Sequence, residues 1–116
     1  SSQSRGLGDV YKRQKHSNKE KYFFSSIKSN HRKFEEKRYW RGPVWINCNW
    51  IIYQGLKNKD NRFANQIKKK TIDLVKQKGF NEYFSCKTGK GFGATNFSWT
   101  ASLFLDLIFE NKYEQL

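Results

Sequence analysis

The 116-residue sequence contains no methionine, one proline and two cysteines, and sets only 10 acidic residues against 23 lysines and arginines. The missing methionine is read as a natural start that lies elsewhere. No apolar run approaches the roughly 18 residues a membrane-spanning helix needs, and no signal-peptide pattern stands at the front, so no membrane partner is expected. Cys48 and Cys86 stand outside any CxxC pair and away from His16 and His31, which argues against a zinc site and leaves two thiols. No Ser-His-Asp or Cys-His set is available for nucleophilic catalysis, since neither histidine is near a convincing nucleophile. No metal and no cofactor is expected.

The formal charge of +13 invites a nucleic-acid reading, because clustered cations displace counterions from phosphates. The basic residues here are mostly lysine and come with many Asn, Ile and Phe, a mixture that AT-rich coding DNA produces without selection for charge. The one tight run, Lys68-Lys69-Lys70, falls where a helix faces solvent. A nucleic-acid partner is therefore not expected, and a basic nucleic-acid-binding module stands as an alternative.

Length allows one domain with a modest core. The stretch Ser4 to Gln14, "SRGLGDVYKRQ", shares neither periodicity nor composition with the rest of the chain and reads as the translation of a sequencing-library transposase adapter. Residues 1–14 are accordingly expected not to be native, with native sequence beginning near Lys15 inside a longer protein.

Lys15 to Arg38 is polar and basic around the aromatic patch Tyr22-Phe23-Phe24 and reads as an extended or loop segment leading inward. Gly42-Pro43 then marks a helix start, with proline at the first helical position, where its missing N–H has no intrahelical partner. Val44, Trp45, Cys48, Ile51, Ile52 and Leu56 follow helical spacing, and this helix is expected to be largely buried. "KNKDN", Lys57 to Asn61, is a polar break. A second helix is predicted over Arg62 to Lys78, with the stripe Phe63, Ile67, Thr71, Leu74 and Val75 and a left-handed cap at Gly79. A glycine-rich loop, Gly79 to Phe97, leads to a last helix capped by Asn96 or Ser98 and running to about Glu110. Its Leu103, Phe104, Leu105, Leu107, Ile108 and Phe109 cover most of the circumference. Three helices cannot surround it, so the inventory is that of part of a larger layered all-α assembly.

Two constellations bear on chemistry. "YWRGPVWINCNW", Tyr39 to Trp50, places Trp40, Trp45 and Trp50 within eleven positions, beside Arg41. Indole faces stack on the C–H faces of sugars and a guanidinium offers fixed donors to hydroxyls, so Trp40, Arg41 and Trp45 form a candidate carbohydrate platform; the alternative is that Trp45 and Trp50 are core and Trp40 a surface anchor. Glu82, between Phe80 and Tyr83-Phe84, is a candidate carboxylate in an aromatic pocket, where surroundings adjust acidity for general acid or base work; the alternative is a solvated loop residue. "TGKGFGATN", Thr88 to Asn96, lacks the GxxxxGK[ST] pattern of a phosphate loop and is read as sharp turns.

Taken in order, "YWRGPVWINCNWIIYQGL", a helix, "GFNEYF" and "TGKGFGATNFSWTASLFLDL" resemble the C-terminal end of glycoside hydrolase family 63 and its mannosylglycerate-hydrolase-like relatives, and more remotely trehalases. The resemblance covers about Phe34 to Leu107. It implies an all-α fold, the last helices of an (α/α)6 barrel with long active-site loops, and makes residues 15–116 a C-terminal fragment of an inverting α-glycosidase. By that resemblance Glu82 matches the general base, Trp40, Arg41 and Gly42 match the loop lining the sugar subsite with Tyr39 and Trp45 supporting it, and Trp99 matches an aromatic near the same cavity. The general acid is an aspartate on an earlier segment, and no residue here matches it. The expected partners are a carbohydrate substrate and the missing N-terminal part of the same barrel. A fragment so built is expected to have no turnover by itself. A non-catalytic carbohydrate-binding element is the remaining alternative.

Overall fold

The computed structural model describes residues 21–114. The expectation for residues 1–14 falls outside these. Three helices, α1 (Ile46–Leu56), α2 (Asn61–Lys78) and α3 (Ser98–Glu114), carry a hairpin of two-residue strands, β1 (Tyr83–Phe84) and β2 (Gly91–Phe92), between the second and third. All three helices pack on one another.

Helix α1 begins later than the Gly-Pro signal suggests. Trp45 occupies the capping position in extended conformation, φ −114° and ψ 129°, so Pro43 is not the first helical residue and Val44 and Trp45 lie outside the helix. The reason is a competing set of backbone bonds. Val44 N–H donates to the Phe84 carbonyl at 2.7 Å and the Phe84 N–H returns to Val44 at 2.9 Å, while the Pro43 carbonyl accepts from both the Ser26 N–H and the Ser26 hydroxyl. Proline's fixed φ suits an extended approach as well as a helical first turn, and these four bonds select the former. With Ser25 bridged to Val44 as well, two short extended segments, at Ser25 and Val44, run side by side next to the hairpin.

The buried face of α1 is Ile46, Asn49, Tyr53 and Leu56. Cys48 is only partly buried, and Ile51 is 60% exposed, so the expectation of a largely buried helix fails on that side. On α2 the predicted stripe holds: Phe63, Ile67, Thr71, Leu74 and Val75 are buried together with Ala64. The Asp60 carboxylate accepts from the Phe63 N–H at 3.1 Å and caps the first turn. At the other end Gly79 adopts φ 90° and ψ −175°. Its φ is positive as a glycine signal implies, but ψ is extended rather than left-handed helical, a region essentially closed to side chains. The chain therefore leaves α2 straight toward Glu82.

Helix α3 starts at Ser98, and the first helical bond, from Ala101 N–H, goes to the Phe97 carbonyl. Phe97 thus holds the capping position instead of Asn96 or Ser98, because its own N–H is tied to the Phe80 carbonyl at 2.7 Å. The helix continues to Glu114, past the predicted end. Leu107 is buried, while Leu105 and Trp99 are each 50% exposed. The apolar circumference read in the sequence is thus only partly covered by these three helices.

Two apolar clusters form the core. One joins Phe23 and Phe24 to Tyr53, Leu56, Phe63, Ile67 and Leu107; the other joins Val44, Ile46, Leu74, Val75, Phe84 and Cys86. At roughly 1.5–3 kcal/mol for each large side chain removed from water, the aromatic pair of the N-terminal segment is a main source of cohesion. The segment read as loop is therefore a structural insert between α1 and α2.

Candidate active site

The site is built where the 39–45 loop meets the hairpin. Gly42 is required there by space: a Cβ at this position would collide with the Glu35 carbonyl and stand 3.1 Å from the Phe34 ring. Its N–H donates to the Ser26 hydroxyl at 3.0 Å. Gly42 is buried under the loop, so its place here is structural support for the residues on either side. From this support the loop turns Tyr39 and Trp40 outward.

The aromatic rings form an ordered stack. Trp40 lies on Trp45 with centroids 4.2 Å apart and planes 16° from parallel, and Trp45 lies on Tyr83 at 5.1 Å and 23°. Tyr39 meets Trp45 edge-on at 4.7 Å and Tyr83 at 5.4 Å. Trp45 is 3% exposed and Trp40 50%, so the stack is buried at its central ring and wet at Trp40. The Trp45 indole N–H donates to the Tyr39 carbonyl at 2.7 Å, which satisfies the only polar group of the buried ring. Trp45 thus sets both the position of Trp40 and the turn that carries Tyr39.

Glu82 stands beside this stack, half-buried, with a hydrogen bond on each carboxylate oxygen. The Tyr39 hydroxyl donates to Oε1 at 3.4 Å, and the Ala94 N–H donates to Oε2 at 3.1 Å. The Glu82 N–H donates back to the Ala94 carbonyl at 2.9 Å. Desolvation, and after it the charge and hydrogen bond of Glu82, push the Tyr39 phenol above its ordinary value of 10.0, so the hydroxyl stays protonated and remains a donor. One lone pair on each Glu82 oxygen is left for another donor.

The chain before Glu82 is anchored from two sides. Asn81 donates its side-chain amide to the Lys78 carbonyl at 2.7 Å, and its own carbonyl accepts from Thr100 Oγ1 of α3 at 2.8 Å. Glu82 is thus referenced to the end of α2 and the start of α3.

The structure brings Tyr39, Trp40, Gly42, Trp45 and Glu82 into one cluster. Arg41 is exposed, its backbone engaged with Glu35 and Arg38. Trp99 projects from the first turn of α3 and is not in the ring stack. Tyr83, Asn81 and the Gly93-Ala94 peptide were not singled out from the sequence as site members. Only Tyr83 left a signal there, as an aromatic neighbour of Glu82; the others act through backbone geometry that side-chain type does not reveal. Among the described residues no group of three or more His, Cys, Asp or Glu side chains could hold a metal ion, and no helix is long and apolar enough to cross a membrane. What the arrangement offers is a carboxylate with two fixed donors at the foot of an aromatic shelf. It suits activation of a water next to a stacked sugar.

Comparison with known proteins agrees in the same region. The family profile described as mannosylglycerate hydrolase MGH1-like glycoside hydrolase domain matches residues 8–100. Mannosylglycerate hydrolase of Rubrobacter radiotolerans is 42% identical over 80 residues, covering 66% of this chain and 18% of that protein. Among solved structures, a glycoside hydrolase family 63 mannosylglycerate hydrolase from Thermus thermophilus in complex with glucose superposes with a TM-score of 0.78 at 35% identity, over 89% of this chain and 27% of that one. The same enzyme in complex with Tris and D-glycerate gives 0.79 at 33% identity, over 93% and 26%. The chain spans a fifth to a quarter of these relatives, and its three helices form part of an (α/α)6 barrel.

Proposed function

Since this chain belongs to the mannosylglycerate hydrolase MGH1-like glycoside hydrolase family, we propose that it is the segment of an inverting α-glycosidase that carries the general base, Glu82. The observation that carries the reading is the placement of the Glu82 carboxylate between the Tyr39 hydroxyl and the Ala94 N–H at the edge of the Trp40–Trp45–Tyr83 stack. A base needs a fixed oxygen with a lone pair available, next to a surface that holds the reacting ring. Glu82 has both.

In the proposed reaction a water bound to Glu82 attacks the anomeric carbon. Its proton passes to the carboxylate as the new C–O bond forms and the glycosidic bond breaks. The departing oxygen takes a proton from an acid on the opposite side of the sugar. Inversion needs the two carboxyl groups about 6.5–9.5 Å apart, with the water between them. That acid belongs to a part of the barrel outside this chain, so the 116 residues alone have no turnover.

In this reading the sugar ring rests on the exposed face of Trp40, and Arg41 and Trp99, exposed and outside the ring stack, are further candidate contacts. Relatives of the chain bear the names mannosylglycerate hydrolase and glucosylglycerate hydrolase, and one solved relative holds glucose or, in another crystal, D-glycerate. A hexose α-linked to glycerate is the substrate class this favours.

The test is Glu82→Gln in the full-length enzyme, assayed on mannosylglycerate and glucosylglycerate. The expected result is a fall in kcat of about 10³-fold or more with little change in KM or Tm, because removal of a base leaves binding groups in place. Turnover like that of the wild type overturns the assignment.

A further inference from the structure

Gly93 carries no side chain, yet it stands against the one carboxylate on which the proposed chemistry depends. Its φ is 72°, in the left-handed region where a Cβ strains the backbone. Space is the sharper constraint. A Cβ built on Gly93 would collide with Glu82 Oε2, and would stand 2.8 Å from Tyr83 Cε1 and 2.9 Å from Glu82 Cβ. Of these three neighbours the Tyr83 ring is stacked on Trp45 and the Glu82 Cβ is fixed by its backbone. The carboxylate end of Glu82 is the part free to yield.

The following residue completes the arrangement. Ala94 accepts from the Glu82 N–H through its carbonyl at 2.9 Å and donates its own N–H to Oε2 of the same residue at 3.1 Å. One residue thus holds both the backbone and the side-chain end of Glu82, which closes a ring and selects one rotamer. Tyr39 confines Oε1 from the opposite side. The hairpin register, Tyr83 opposite Phe92, brings Gly93 and Ala94 level with Glu82.

We infer that Gly93 is a positioning residue of this glycosidase: by leaving its side-chain volume empty it lets the Ala94 peptide lock the Glu82 carboxylate against the Tyr39 hydroxyl, the geometry in which it activates water. The inference rests on the reading of Glu82 as general base. It concerns which residue holds the base, and Gly93 is argued to act through Glu82.

The hairpin supplies its own control. Gly89 also has a positive φ, 76°, and a Cβ there would crowd the Tyr22 ring at 2.9 Å and Leu74 at 3.2 Å. Substitution at either glycine strains the backbone, but only position 93 presses on Glu82.

The experiment compares Gly93→Ala and Gly89→Ala in the full-length enzyme. Expected is a fall in kcat of about 10²-fold for Gly93→Ala with KM within about threefold, the scale of misplacing a reacting group by about 1 Å. Gly89→Ala is expected to lower Tm and leave kcat near that of the wild type. A double-mutant cycle with Glu82→Asp adds a readout that general destabilisation does not move. The shorter carboxylate withdraws from the added methyl, so the losses from Gly93→Ala and Glu82→Asp are expected to be far from additive. Equal kcat losses for the two glycine variants, or additive losses in the cycle, overturn the inference.

Should Gly93→Ala fail to fold, hydrogen exchange on variants that keep Gly93 decides the matter. The peptide spanning residues 92–97 is expected to exchange faster in Glu82→Ala than in Glu82→Gln, since glutamine keeps an acceptor for the Ala94 N–H. Equal exchange in the two variants overturns the lock. The base assignment fails on a different result, active Glu82→Gln, so the two readings are separable.

Discussion

Asn49 on α1 and Thr71 on α2, both buried, are joined by a hydrogen bond of 3.1 Å from the Asn49 amide to the Thr71 hydroxyl. The same amide side chain donates to the Phe23 carbonyl at 2.8 Å and accepts from the Phe24 N–H at 3.0 Å. One side chain thus fastens two helices and the N-terminal segment. Asn49→Ala is expected to leave the Phe24 N–H and Phe23 carbonyl buried without partners and to destabilise by about 2–6 kcal/mol, at roughly 1–3 kcal/mol per orphaned group. Chemical denaturation of the full-length enzyme checks it, and a change under about 0.5 kcal/mol contradicts it.

Glu110 gathers the three helices in a second way. It accepts from the Tyr53 hydroxyl at 2.6 Å, from Lys57 at 3.1 Å and from Lys68 at 3.2 Å. Burial alone pushes its carboxyl up, but these hydrogen bonds and the Lys68 charge outweigh it and hold the group below its ordinary value of 4.5. A carboxylate more acidic in the folded than in the unfolded state adds stability above the unfolded value. That contribution is lost as pH falls through the folded value. The Tm difference between the wild type and Glu110→Gln is therefore expected to be constant near neutrality and to shrink below about pH 4.5. A difference that grows on acidification contradicts the arrangement.

Trp40 and Trp45 stack on each other but are expected to fail differently. Trp45 is buried and its indole N–H is bonded to Tyr39, so Trp45→Ala should cost about 3–5 kcal/mol and reduce activity through misfolding. Trp40 is half exposed. Trp40→Ala should leave Tm within about 2 °C and raise KM about tenfold, through loss of the face on which the sugar rests. Melting curves and steady-state kinetics on the two variants separate the roles; an unchanged KM for Trp40→Ala removes the sugar shelf.

Resequencing the source DNA outward from the codons of "YWRGPVW" is expected to replace those of Ser4 to Gln14 with further coding sequence that includes a candidate acid. Genomic confirmation of "SRGLGDVYKRQ" makes these residues part of the protein and removes the adapter reading.

Much of this was legible in one dimension. The stripe Phe63, Ile67, Thr71, Leu74 and Val75 was readable because an amphipathic helix with one wet face imposes its period on the residue types. The apolar circumference of α3 pointed to missing surroundings, in keeping with a chain that spans about a quarter of its solved relatives. The motifs "YWRGPVW" and "NEYF" contain Tyr39, Trp40, Trp45 and Glu82, which the structure brings into one cluster. The start of α1 was misread because the Gly42-Pro43 signal is local, whereas the bonds from Val44 to Phe84 and from Ser26 to Pro43 join positions far apart in sequence.

Sequence by itself determined the class: its apolar periodicities sufficed for part of a larger all-α assembly, and the resemblance of its ordered motifs to glycoside hydrolase family 63 implied the glycosidase barrel, since helix period and motif order are properties of the chain itself. Tertiary structure alone decided how the candidate base is held. The partners of Glu82 are a tyrosine 43 residues before it and a backbone N–H 12 residues after it. A backbone amide has no letter in the sequence, and the Gly93 that makes room for the carboxylate is known by the volume it leaves empty. Such placements arise only when the loop, the hairpin and the helix ends pack together, because distance and excluded volume exist only in three dimensions.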